Sequence, residues 1–90
     1  MGVTQAELSK NILEPYRVVL KLSVPGVWSM ELHTASGKVL DVQTRRGPAK
    51  IWRALDDALG FVGEYCAGAE SITAYGEFGG QKLMLEITKT

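Results

Sequence analysis

The residues best suited to bind something stand in one stretch, "TRRGPAKIWR", Thr44 to Arg53. Arg45 and Arg46 precede Gly47 and Pro48, and Lys50, Trp52 and Arg53 follow within a helical pattern. A helix start carries roughly +0.5 of a charge and presents N–H groups that lack partners. Arginines just before one favour phosphate, a nucleic-acid backbone or a partner's carboxylate. Trp52 beside that charge offers a ring on which a base can stack. The same residue also fits the rim of a core, with its N–H toward solvent. The plainer reading of the whole stretch is a solvated lead-in to a core helix. Lys50 then sits in the first turn against the dipole, at a cost of a few tenths of a kcal/mol, roughly, and a bound anion would remove that mismatch.

Other chemistry is poorly supplied. Asp56 and Asp57 are sequence neighbours, and neighbours on a helix do not face each other. His33 is the single histidine, and without a second one or a nearby cysteine it builds no zinc site. Cys66 falls on the apolar stripe of the expected helix, where a buried thiol is inert. Gly76, Gly79 and Gly80 mark a hairpin turn, since no helix follows them as a dinucleotide fingerprint requires. No serine, histidine and acid form a recognisable triad. No catalytic residue, metal ligand or cofactor is expected, and the chain reads as a non-enzyme.

Ninety residues, 46% hydrophobic and 22% charged, suit one small globular domain, residues 1–90. No apolar run approaches the ~18–20 residues that span a bilayer. The N-terminus lacks the basic and apolar regions of a secretory signal. A lone cysteine fits a reducing compartment, so a cytoplasmic protein with no membrane partner is expected. Formal net charge is zero, yet Lys38, Arg45, Arg46, Lys50 and Arg53 share sixteen residues with Asp41 as the single acid. A local basic patch on a neutral domain follows.

The elements that must position these residues come from periodicity. Thr4 and Glu7 fit a capping box opening a short helix that carries Leu8, Ile12 and Leu13 and stops before Pro15. "YRVVLKLSV", "VWSMELHT" and "KVLDVQT" alternate as strands, separated by Pro25-Gly26 and by a loop at Gly37. Ile51, Leu55, Ala58, Leu59, Val62, Tyr65, Cys66 and Ala69 fall on one helical stripe, and a helix is expected from about Pro48 to Ala67. "SITAYGEF" and "QKLMLEITK" close the chain as a hairpin across Gly79-Gly80. Short turns imply antiparallel pairing. The expected fold is α+β: an antiparallel sheet of about five strands, β-β-β-α-β-β, with one long amphipathic helix on one face and a short N-terminal helix. Leu55, Leu59 and Val62 are expected to pack against Leu20, Leu32, Val42 and Leu85. Val19, Val39, Tyr75 and Met84 then point to the other face, where exposed apolar residues mark a partner surface.

Trp28 to Val62 reads W-x-M-x-L-x-T-x-x-G, then V-x-T-R-R-G-P-A-K-I-W-R-A-L-D-D-A-L-x-F-V. This pattern, about a third of the chain, resembles small accessory proteins encoded beside plasmid partition genes, the ParC-like partition-associated proteins. The resemblance implies a bacterial, plasmid- or mobile-element-linked role with protein partners and no catalysis. The leading functional reading is therefore a non-catalytic accessory or interaction module that self-associates, a homodimer through Val19, Val39, Tyr75 and Met84, or that binds another protein. The alternative is a single-stranded nucleic-acid or phosphate-backbone binder using the basic helix start Arg45–Arg53, through Arg45, Arg46, Gly47, Lys50, Trp52 and Arg53.

Overall fold

Alternating apolar residues from Tyr16 onward make strands because every second side chain reaches the same side of the sheet. The structure, a computed structural model, describes residues 2–9, 14–24, 26–66 and 68–87. Its elements are β1 (Gly2–Thr4), α1 (Gln5–Ser9), β2 (Tyr16–Val24), β3 (Val27–Thr34), β4 (Val39–Gln43), β5 (Ile51–Trp52), α2 (Leu55–Tyr65), β6 (Ala69–Phe78) and β7 (Gln81–Ile87). They build one sheet in the order β1-β4-β3-β2-β6-β7, with β5 paired to β3.

The sheet is mixed. β2, β3 and β4 form an antiparallel meander, and β6 and β7 form a hairpin. β6 runs parallel to β2, and β1 runs parallel to β4. The expected five-stranded antiparallel sheet under one long helix is thus replaced by a seven-stranded mixed sheet with two short helices. The reason lies in the connection. Short turns dictate antiparallel pairing only between consecutive strands, whereas a helical crossover carries the chain back to start a strand in the same direction. α2 is such a crossover, taking the chain from β5 on one side of β2 to β6 on the other.

The long helix from Pro48 to Ala67 is also corrected. Helix α2 begins at Leu55, seven residues later. Between β4 and β5 the chain doubles back: the Gly47 N–H donates to the Thr44 carbonyl at 3.0 Å, the Thr44 N–H to Pro48 at 2.9 Å, and the Lys50 N–H to Val42 at 2.9 Å. Gly47, at φ +105°, makes that tight return possible. Ile51 and Trp52 then pair with Ser29 and Trp28, a part of β3 that lies beyond its pairs with β4. Backbone groups there need partners, and the returning segment supplies them. Period 3.6 and a two-residue strand fit the apolar residues at 51 and 52 equally well.

The inner face of the sheet carries Val18, Leu20, Met30, Leu32, Leu40, Val42, Ile72 and Ala74, all buried. Ala58, Phe61 and Val62 of α2 and Leu8 of α1 pack in the same cluster. Phe61 meets Trp52 edge-on at 5.1 Å and Tyr65 at 4.9 Å. Leu55 and Leu59, expected at the centre of this contact, are partly buried at its margin, and Leu85 is exposed. Thr4 ends β1 and caps α1: its N–H donates to Glu7 Oε1 at 3.1 Å, and the Glu7 N–H donates to Thr4 Oγ1 at 3.4 Å. The expected continuation of α1 through Ile12 and Leu13, and the expected helix end at Ala67, lie outside the described residues.

Candidate interaction surface

The four residues expected on the outer face do lie on it, but they do not form one patch. Val19 is only 9% exposed, because Glu31 and Thr73 flank it on the neighbouring strands. Val39, 49% exposed, stands on β4 beyond His33. Tyr75 and Met84 are direct partners across the β6–β7 hairpin, and Met84 is 73% exposed.

Charge occupies the ground between. Lys21 Nζ lies 3.0 Å from Glu31 Oε2, and His33 Nε2 lies 3.1 Å from Glu31 Oε1. Burial alone would raise the Glu31 pKa, but hydrogen bonds from Lys21 and His33 outweigh it and hold the carboxyl below its usual range. Donating that hydrogen bond to Glu31 raises the Lys21 ammonium pKa. Lys21 Nζ also stands 5.9 Å from the Tyr75 ring centre, a cation–π contact. The outer face is therefore a polar network at its middle, with its exposed apolar surface displaced to one side.

That side is the β6–β7 end. An open groove of about 490 Å³ is lined there by Leu22, Tyr75, Gly76, Leu83 and Met84 together with the charged Lys21, Glu77 and Lys82. Gly76 faces Leu22 in the parallel pair, and a Cβ on it would meet Leu22 Cβ at 2.5 Å, so only glycine fits without movement. Leu85, on the inner face of β7, is 40% exposed. Alternation assigned Leu85 to the core; alternation gives a residue's face but not its distance from the helix that covers that face.

The basic stretch is arranged differently from its sequence reading. Because α2 starts at Leu55, no helix N-terminus adjoins Arg45 and Arg46, and its first turn holds Asp56 and Asp57. Lys50 therefore does not oppose the helix dipole, and the mismatch a bound anion would relieve does not exist. Trp52 is buried in β5, unavailable to stack on a base, as its core reading had it. Arg53 is exposed, and Gly47 forms the return rather than a helix cap. Arg45, Arg46 and Lys50 do come together. With Gln5, Gln43 and Thr44 they line a cleft of about 430 Å³ at the β4 corner. Lys50 Nζ lies 5.7 Å from the Trp52 ring centre and 5.8 Å from that of Phe61, two cation–π contacts at the rim of the core. Gln5 and Gln43 carry no signal of this site in the sequence, since only the β1–β4 pairing brings the N-terminus to this corner.

Among the described residues no group of three or more His, Cys, Asp or Glu side chains could hold a metal ion, and no helix is long and apolar enough to cross a membrane. Cys66 is buried and interacts with the Tyr16 phenol, whose pKa burial raises, with Cys66 adding to the shift. Compared with known protein families, curated proteins and solved structures, the chain matches none.

Proposed function

We propose that this chain is a self-associating protein-interaction module whose contact surface is the β6–β7 end of the sheet. The observation that carries this reading is the exposure of Met84, with Tyr75 and Leu85 beside it, on the last strand of the sheet. Apolar side chains gathered at one end of a small domain are costly in water and mark a contact surface. A sheet edge adds unpaired backbone groups that a further strand can satisfy. Val19 takes no part, since its neighbours cover it, and Val39 lies on the far side of the polar network. The link to plasmid or mobile-element maintenance rests on the sequence resemblance alone. Sedimentation equilibrium from micromolar to millimolar chain tests the reading. A mass that rises with concentration is the expected result; a strict monomer throughout overturns it.

A second reading attaches to the β4 corner. Three cationic side chains and two amides converge there without an acid among the lining residues. That chemistry suits an oxyanion such as a phosphate group, bound by side-chain donors without help from a helix dipole.

A further inference from the structure

The strand that ends the sheet carries information about what lies beside it. β7 reads Gln81-Lys82-Leu83-Met84-Leu85-Glu86-Ile87. It pairs with β6 over seven consecutive residues without a register shift. Sheet edges are commonly protected by short length, proline, a bulge or charged side chains; β7 has none of the first three and carries charge at Lys82 and Glu86. The opposite edge, β1, is three residues long and leads straight into α1.

The hairpin decides which backbone groups face outward. Gly79 and Gly80, at φ +57° and +75°, form the two-residue turn that joins Phe78 to Gln81. The pair closing such a turn exchanges hydrogen bonds, and bonded and non-bonded pairs alternate from there. Leu83, Leu85 and Ile87 therefore bond to Gly76, Ala74 and Ile72. The N–H and C=O groups of Lys82, Met84 and Glu86 point away from β6, to the side on which no strand among the described residues pairs with β7.

We infer that a second copy of this chain pairs along β7, antiparallel, about a twofold axis at Met84. This rests on the self-association reading and specifies its geometry. Around Met84 the strand is complementary to itself. Antiparallel pairing sets Lys82 opposite the partner's Glu86, Leu83 opposite the partner's Leu85, and Met84 opposite the partner's Met84. The outward-facing backbone groups of 82, 84 and 86 meet their counterparts in the same arrangement. The charged pairs and Met84 lie on the outer face with Tyr75, and the leucine pairs lie on the inner face. Both exposed apolar residues of β7, Met84 and Leu85, gain an apolar neighbour.

Other registers lose this match. Moving the axis to Leu83 sets Glu86 opposite the partner's Gly80, and moving it to Leu85 sets Met84 against the partner's Glu86. Parallel pairing in register would stack Lys82 on its own copy and Glu86 on its own copy, which repels. An isologous contact between identical edges also closes, so the assembly stops at two.

Charge reversal and cross-linking test the inference, with folding of each variant checked by circular dichroism. Lys82→Glu faces the partner's Glu86 twice through the twofold and should raise the dimer dissociation constant at least tenfold. Glu86→Lys should do the same, and it faces Thr73 rather than Glu77 within its own hairpin. The double variant should restore the wild-type constant. Residues opposed in a bonded antiparallel pair have Cα atoms about 5.5 Å apart, within disulfide reach. Met84→Cys should therefore give a covalent dimer with oxidised glutathione as oxidant. Leu83→Cys should not, because its own copy lies on the diagonal at roughly 7–8 Å. Wild type, whose Cys66 is buried, is the control. A dimer that ignores both single reversals and does not cross-link at Met84 overturns the β7 contact while leaving self-association standing. Dissociation by the single reversals without rescue by the double overturns the register. A strict monomer overturns both this inference and the reading beneath it.

Discussion

Phe61 is the residue whose loss best separates the observed core from a helical stripe that starts at Ile51. Its ring is buried and makes two ring contacts, to Trp52 at 5.1 Å and Tyr65 at 4.9 Å. Such pairs contribute about 0.5–1.5 kcal/mol each beyond burial. Phe61→Leu keeps much of the apolar volume and forfeits both, so it should cost roughly 1–3 kcal/mol. Phe61→Ala adds a cavity and should cost about 3–5 kcal/mol. A domain of this length has about 5–13 kcal/mol in all, so the alanine variant stands near the limit of folding and the leucine variant is the safer probe. Ile51 lies on β5 with half its surface in water. Ile51→Ala should therefore cost about 1 kcal/mol or less, as surface substitutions do. Were Ile51 the first residue of a buried stripe, the same change would cost about 2–5 kcal/mol. Urea unfolding at one fixed chain concentration measures all three. Circular dichroism is the better probe, because altering Phe61 changes the surroundings of Trp52. Ile51→Ala more damaging than Phe61→Leu would refute the packing described here.

Replacing Arg45 and Arg46 together with Gln should leave stability unchanged within error, since exposed arginines contribute little. It should also weaken any binding of labelled single-stranded DNA at low salt and flatten the log–log salt dependence of what remains by about 0.7 per lost phosphate contact; unaltered binding would remove the β4 corner from consideration. Glu31 has a folded pKa below its unfolded value of about 4.3, so its contribution to stability is present above that pH and is lost as pH falls through the folded value. Glu31→Gln should accordingly flatten the acid limb of a stability–pH curve, and an unchanged limb would show that Lys21 and His33 do not hold the carboxylate.

Local alternation of side chains is enough to assign the faces they occupy. Period-two alternation in "YRVVLKLSV" and "VWSMELHT" places Val18, Leu20, Met30 and Leu32 on one side, and the buried residues follow it. The Thr4–Glu7 cap and the Gly79-Gly80 turn are equally local, since each needs only residues within four positions. The basic cluster was legible as charge but not as a site: its shape depends on Gln5 arriving from β1 and on Gly47 turning the chain back. The length of α2 was not legible either. The apolar residues at 51 and 52 satisfy a helix or a strand, and the choice fell to the backbone of Trp28 and Ser29 on β3, which is distant in sequence and outside any local rule. Tertiary structure likewise decided that β6 joins β2 in parallel, which leaves β7 at the edge and exposes Leu85, a residue whose pattern is that of the core. Local periodicity fixes the side of the sheet on which a residue lies; only strand order fixes whether anything covers it.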